Sequence, residues 1–290
     1  MVDPAKAPLI SIGPRVRKSP YFDATIRHGA TAFTIYNHMY LPASYGDNVA
    51  DYWTLVTDVT LWDVASQRQV EISGPDAFDF VQYLTPRDMS RCAVGQCQYM
   101  VLTNQAGGIV NDAVLLRVEE NRFWLSPGDG DVIWWAMGAA LNSGFDVEVR
   151  EPDVSPLQLQ GPKAPLVARD LFGDWPLEMG YFRLRETELD GIPLVVSRTG
   201  WSGELGYELY LRDGRERTAE ATLELGPLLQ TAATRKAGLR DGSDIPRATA
   251  KQGGPPAVSV ACTPQADGSV KLTIEYYPDN SGRPHLSLIH

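Results

Sequence analysis

Hydrophobic positions along the chain follow two rhythms, a period of two that suits strands and a longer one that suits helices. Their repeated alternation predicts a mixed α and β body. The most informative stretch is Val70-Glu71-Ile72-Ser73-Gly74-Pro75-Asp76-Ala77-Phe78-Asp79-Phe80-Val81-Gln82-Tyr83-Leu84-Thr85-Pro86. It reads as strand, Gly-Pro turn, helix and proline stop, because proline suits a first helical turn and Thr85 before Pro86 is pushed out of the helical region. The same order returns over residues 157–173, where Leu157-Gln158-Leu159-Gln160 runs through Gly161-Pro162 into Ala164-Pro165-Leu166-Val167-Ala168-Arg169-Asp170-Leu171-Phe172. Two such units, about ninety residues apart, predict an internally duplicated α+β fold with two similar halves.

Other elements fill in around these units. Residues 31–40 alternate well enough for one strand, and residues 49–62 place Tyr52, Trp53, Leu55, Val56 and Val59 at the spacing of a short amphipathic helix, with extended chain at Leu61-Trp62-Asp63-Val64. Residues 95–102 lead through Thr103-Asn104-Gln105-Ala106 and Gly107-Gly108 into Ile109-Val110-Asn111-Asp112-Ala113-Val114-Leu115-Leu116. This is a hairpin whose strands can bring Tyr99 and Asp112 onto one sheet. Residues 121–126 and 145–149 are further strands, and 131–141 is a helix whose Trp134 and Trp135 are expected to anchor the core. A strand at 192–197, a glycine-punctuated loop carrying Trp201, and a strand through Gly206-Tyr207-Glu208-Leu209-Tyr210 put Glu208 and Tyr210 on one face. Residues 1–20 are Pro-rich and basic and read as an irregular arm. Past residue 211 the text becomes charged, residues 219–230 admit a helix, residues 231–269 lose periodicity, and residues 269–277 read as a strand. Weak order is expected from about residue 231.

Composition narrows the function classes. With 43% hydrophobic and 9% aromatic residues, 290 residues can bury a substantial core. No stretch approaches ~18 consecutive apolar residues, so a membrane partner is not expected, and the first residues lack the apolar centre of a secretion signal, so the expected location is cytoplasmic. A formal charge of −10 argues against nucleic acid as a partner. Cys92, Cys97 and Cys262 form no CxxC pair, only His28 and His38 lie before residue 285, and there is no GxSxG elbow. Structural zinc and Ser/His/Asp hydrolysis are therefore not expected.

Three places carry candidate chemistry. Asp112 is a carboxylate among apolar neighbours, which costs desolvation unless something donates to it or it handles a proton. The competing reading, ahead on local sequence alone, is that it accepts turn hydrogen bonds beside the glycines. Glu208 and Tyr210, beside a loop with Trp201, can hold a flat heterocycle bearing N–H donors, or they can belong to a solvated edge strand. Tyr36-Asn37-His38 is either a ligand-contact patch or an ordinary polar strand end.

Taken together, Tyr36-Asn37-His38-Met39, Leu61-Trp62-Asp63-Val64, Gln69-Val70-Glu71-Ile72-Ser73-Gly74-Pro75-Asp76-Ala77, Leu84-Thr85-Pro86-Arg87-Asp88, Gly95-Gln96-Cys97, Gly107-Gly108-Ile109-Val110-Asn111-Asp112 and residues 197–208 resemble the tetrahydrofolate-dependent glycine cleavage T-protein family, most closely its dimethylsulfoniopropionate demethylase branch. The resemblance implies a folate-binding T-protein-like body over residues 21–211, made of the two pseudo-repeated halves, after the arm at 1–20. Residues 212–290 would be an atypical or truncated C-terminal segment replacing the family's last domain. It implies tetrahydrofolate as cofactor and a small-molecule methyl or aminomethyl donor, with a lipoyl carrier protein as partner only in the aminomethyl case. Matched by position, Asp112 lies beside the reactive folate nitrogen and is the catalytic candidate, Glu208 pairs with the pterin, and Tyr99 and Trp201 wall the folate pocket. Tyr36, Trp175 and Tyr210 are substrate-side aromatics. Trp175 would face a sulfonium, an attraction of ~1 kcal/mol or more when desolvated. The loop Ser202-Gly203-Glu204-Leu205-Gly206 departs toward the T-protein version. Methyl transfer from a sulfonium to tetrahydrofolate is the expected function. The alternatives are a glycine-cleavage-type aminomethyltransferase, a non-catalytic folate-binding protein and an inactive truncated remnant.

Overall fold

The computed structural model describes residues 15–212 and the strands at 257–264, 270–277 and 285–286. In chain order the first region contains α1 (Phe22–Arg27), β1 (Ala32–Tyr36), β2 (Met39–Ser44), α2 (Asn48–Thr57), β3 (Thr60–Asp63), β4 (Val70–Ser73), α3 (Ala77–Tyr83), β5 (Gln96–Thr103), β6 (Ile109–Glu119), β7 (Arg122–Pro127) and α4 (Val132–Ala140). It continues with β8 (Glu148–Arg150), β9 (Ser155–Gln160), α5 (Ala164–Phe172), α6 (Trp175–Glu178), β10 (Leu184–Leu189), β11 (Ile192–Ser197) and β12 (Gly206–Leu211).

Both Gly-Pro units fold as their sequence predicts, β4 into α3 and β9 into α5. Each sits in a five-stranded antiparallel sheet, ordered β5-β6-β7-β4-β8 in the first and β10-β11-β12-β9-β3 in the second. The two orders are the same pattern: a three-stranded meander, then the Gly-Pro strand, then a short outer strand. That outer strand is exchanged. β3, which leads into β4, pairs with β9, while β8, which leads into β9, pairs with β4. Each half thus completes the other's sheet.

The glycines of the two turns show why the exchange is tight. A Cβ on Gly74 (φ +133) would lie 2.5 Å from the Asp146 carbonyl, and one on Gly161 (φ +122) 2.4 Å from the Asp58 carbonyl. Asp146 and Asp58 precede β8 and β3, the two exchanged strands. The same carbonyls accept from Asp76 N (3.3 Å) and Lys163 N (3.0 Å), and Lys163 Nζ reaches Asp58 Oδ2 at 2.7 Å.

Strand alternation divides the core into layers. Ile72, Met100, Leu115 and Leu125 pack with Phe80 and Val81 of α3 and Ala136 of α4 on one face of the first sheet. Leu157, Leu159, Val196 and Leu209 pack with Val167 and Ala168 of α5 on a face of the second. Residues of the opposite parity, Leu116, Trp124, Val195 and Tyr210, share a third cluster that joins the two sheets.

Several expectations are corrected. Residues 31–40 are a hairpin and not one strand: Asn37 (φ +48) and His38 (φ +59) form a two-residue turn between β1 and β2, with Tyr36 paired to Met39. The helix predicted over 49–62 ends at Thr57, because residues 60–63 are drawn into pairing with β9. Trp134 is 63% exposed. The inward face of α4 is set by Val132 and Ala136, one turn apart, with Trp135 packing beside them. The short α1 and the strand β10 have no clear periodic signal in the sequence.

Within the range expected to be weakly ordered, β13 (Ala257–Pro264), β14 (Val270–Tyr277) and β15 (His285–Leu286) form an antiparallel sheet in that order. β14 matches the strand read from the sequence. β13, bounded by prolines and rich in small residues, gave too weak an alternation to read. The expected helix at 219–230 and residues 1–14 of the arm lie outside the described residues.

Two predictions follow from this packing. Gly161→Ala places a methyl against a backbone carbonyl at a φ that alanine avoids, and it should cost ~2 to 4 kcal/mol in urea unfolding. Gly29→Ala, with open space around it, should cost less than half of that. Asp63, at the end of β3, is buried while accepting from Ser19 Oγ and from Ala65 N (3.1 Å), and burial pushes its carboxyl up to about 6 from 3.8. A raised carboxyl contributes stability that is fully present below pH 3.8 and lost as pH rises through about 6. This amounts to about 3 kcal/mol. Asp63→Asn should flatten the stability profile between those values, and an unchanged profile would remove Asp63 as its source.

Candidate active site

Asp112 lies on β6 opposite Val101 of β5, and Tyr99 lies opposite Val114, so both point to one face as diagonal neighbours. The Tyr99 hydroxyl donates to Asp112 Oδ2 at 2.8 Å, and this bond raises the Tyr99 phenol above its ordinary value. Tyr99 is 37% exposed and Asp112 is half-buried, so the pair stands at a surface. Behind the carboxylate runs the loop that follows β7. Gly128 N donates to the Asp112 carbonyl (3.0 Å), and a Cβ on Gly128 would lie 3.2 Å from Asp112 Oδ1. Tyr36, from the tip of β1, is held by a hydrogen bond with the Asp129 backbone. Burial raises its phenol, and the charges of Asp129 and Asp112 add to the effect. The structure therefore brings together Tyr36, Tyr99 and Asp112.

Glu208 lies on β12 between β11 and β9, which excludes the solvated edge strand. It is 3% exposed. Gln158, directly across on β9, donates Nε2 to Glu208 Oε1 at 2.6 Å, while the Thr199 hydroxyl and the Tyr210 hydroxyl (3.0 Å) donate to Oε2. Ser197, across on β11, hydrogen-bonds Thr199. All these donors are neutral. Among the described residues no Lys, Arg or His forms an ion pair with Glu208.

Tyr210 is fully buried between the sheets, against Trp124, and burial pushes its phenol well up. It also meets Ser126 of the first sheet, which donates to Gln67 Oε1 (3.0 Å) and accepts from Gln69 Nε2 (3.1 Å). Ser126 pairs with Val114, two residues beyond Asp112 on β6. A continuous polar line thus runs from Glu208 to the strand next to Asp112. The Gln69 Oε1 at its end is buried with no partner among the described residues.

Trp201 is 82% exposed on the loop before β12. That loop is held by Gln160, fully buried, whose Oε1 accepts from Ser202 Oγ at 2.7 Å and whose Nε2 reaches the Thr199 carbonyl at 3.4 Å. Trp175 packs with Phe172 against the second core, and the Arg185 guanidinium covers its ring at 4.6 Å.

Several site residues were not singled out from sequence. Gln158, Thr199 and Ser197 acquire their role only because β9 and β11 flank β12, a pairing between distant segments. Asn111 directly precedes Asp112 and Asp129 meets Tyr36, and the glycines at 128 and 130 mark a tight loop. Among the described residues no cluster of His, Cys, Asp and Glu could hold a metal. Cys92 and Cys97 are buried free thiols, both pushed up by burial.

Comparison with known proteins gives the family. The GCVT N-terminal domain matches residues 21–230. The dimethylsulfoniopropionate demethylase DmdA of Ruegeria pomeroyi is 41% identical over 197 residues, 68% of this chain and 54% of that protein. An aminomethyltransferase of Desulfitobacterium hafniense is 31% identical over 218 residues, 73% of this chain and 59% of that protein. The chain thus spans little more than half the length of these curated relatives. Among solved structures, the glycine cleavage system aminomethyltransferase T of Bartonella henselae superposes with a TM-score of 0.61 at 25% identity, covering 79% of this chain and 65% of that one. The family match runs through both interlocked sheets and both Gly-Pro turns, over most of the described chain: this chain belongs to the GCVT N-terminal domain family.

Proposed function

We propose that this chain binds tetrahydrofolate and moves a methyl group onto it from a small sulfonium donor, with Asp112 as the catalytic residue. The observation that carries the reading is the Tyr99–Asp112 hydrogen bond at the surface of the first sheet, with Tyr36 beside it. A phenol holding one carboxylate oxygen fixes the direction of the other, which suits a carboxylate that must meet an N–H at a set angle.

The residues fit a reduced pterin. Glu208 Oε1 takes one donor, from Gln158, and so retains capacity to accept from a ring N–H. Exposed Trp201 and Tyr99 offer flat faces on the approach. In the transfer, tetrahydrofolate supplies the nucleophilic nitrogen. The bond from methyl to sulfur breaks as the bond from methyl to nitrogen forms, the sulfur leaves with the electron pair as a neutral thioether, and the nitrogen's proton passes to Asp112. A sulfonium is already an activated leaving group, so the protein's part is alignment and exclusion of water. Neither buried thiol is placed as a nucleophile. The role first expected for Trp175 fits less well, since Arg185 already occupies its ring face.

The second reading is aminomethyl transfer from a lipoyl carrier. It is favoured by the loop Ser202-Gly203-Glu204-Leu205-Gly206 and by the similarity to aminomethyltransferases. Supplying tetrahydrofolate with each donor in turn separates the two.

Glu208→Gln should weaken tetrahydrofolate binding, measured by calorimetry, by ~1.5 to 3 kcal/mol. Equal affinity would remove Glu208 from the pterin site. Asp112→Asn should reduce kcat by roughly a hundredfold or more while changing tetrahydrofolate affinity far less. Cys97→Ala should turn over like the parent. A parent-like Asp112→Asn, or a folded but inactive Cys97→Ala, contradicts the mechanism.

A further inference from the structure

From sequence the Tyr36-Asn37-His38 segment is either a ligand-contact patch or an ordinary polar strand end, and Asn37 is buried at the tip of its hairpin. All of its polar atoms are engaged. Asn37 N donates to Asp129 Oδ1 (2.8 Å), its Nδ2 to the Gly128 carbonyl (3.1 Å), its Oδ1 accepts from Gly130 N (2.7 Å), and its carbonyl accepts from Arg68 Nη1 (3.1 Å). The side chain therefore grips the loop 128–130 from outside. Asn111 grips it from inside, with Nδ2 on the Asp129 carbonyl (2.9 Å) and Oδ1 on the Asp112 amide (2.8 Å). The clamped loop is the wall of the Asp112 side chain, since a Cβ at Gly128 would touch Asp112 Oδ1 and one at Gly130 would lie 2.7 Å from Asn111 Nδ2.

We infer that Asn37 is a positioning residue for Asp112, acting through the loop 128–130: the β1–β2 hairpin is a clamp that sets the orientation of the proposed catalytic carboxylate. The inference rests on the methyl-transfer reading for its consequence in turnover, but the clamp itself is a matter of structure. The turn conformation supports a direct test. With φ at +48, Asn37 can be replaced by glycine without straining the hairpin, so Asn37→Gly removes the grip and keeps the turn.

The readout independent of activity is the Tyr99 phenol, whose titration is raised by the bond to Asp112. Arg87 also reaches this residue, but at the main chain, where its Nη1 donates to the Tyr99 carbonyl at 2.8 Å. Carbon NMR on protein labelled at the tyrosine ζ carbon, with Tyr99 assigned by Tyr99→Phe, follows it. In Asn37→Gly the Tyr99 titration should move toward that of an ordinary tyrosine, as in Asp112→Asn, and kcat should fall roughly tenfold to a hundredfold with the tetrahydrofolate KM within about twofold. Asn142→Gly, another asparagine at positive φ, should change neither. If Asn37→Gly does not fold, Gly130→Ala disturbs the same clamp from the Asn111 side and should move Tyr99 in the same direction. A parent-like Tyr99 titration in the folded variant overturns the clamp. Absence of methyl transfer in the parent overturns the proposed function alone, because the NMR comparison still decides whether Asn37 holds Asp112.

Discussion

Two turns hold residues 15–212 together, Gly74-Pro75 and Gly161-Pro162, each closing onto the backbone that enters the other half's outer strand. Only glycine fits there: a side chain would collide with a main-chain carbonyl, which has no rotamer to move into. Because β3 and β8 are exchanged, neither sheet is complete without the other half. The relative placement of the sheets is therefore set by covalent connection and backbone pairing as well as by the apolar cluster between them.

The candidate site depends on that placement. Asp112 belongs to the first sheet and Glu208 to the second, and the line through Tyr210 and Ser126 crosses the interface from Glu208 to β7, the strand beside that of Asp112. The two carboxylates are held in different ways. Glu208 is buried and held by neutral donors only, and on the proposed function the remaining capacity of Oε1 meets the N–H donors of the ligand. Asp112 stands at the surface, with one oxygen tied to Tyr99 and the other against the Gly128 backbone, where solvent and a reactant have access. On the proposed function, Glu208 is the buried anchor and Asp112 the accessible reacting carboxylate.

Local grammar was legible in the sequence and long-range exchange was not. Strand, Gly-Pro and helix are encoded within about seventeen residues of each unit, and both units fold that way. Nothing in β3 or β8 says that it will pair with the distant half, because pairing partners are set by the closed fold. The same limit applies to Glu208: alternation placed it on a face with Tyr210, but its burial follows from β9 and β11 on either side. Asn37 and His38 carried a readable signal, since asparagine between two alternating runs favours a two-residue turn, and reading residues 31–40 as one strand passed over it. The size of Trp134 does not decide its burial: the positions of Val132 and Ala136 set which side of α4 faces inward.

The most direct test is a crystal structure of the chain with tetrahydrofolate. The account predicts the reactive nitrogen within hydrogen-bonding distance of Asp112 and the pterin edge on Glu208, with the Tyr99 bond to Asp112 retained. A folate bound elsewhere, or one that leaves Glu208 with only its protein donors, would contradict it.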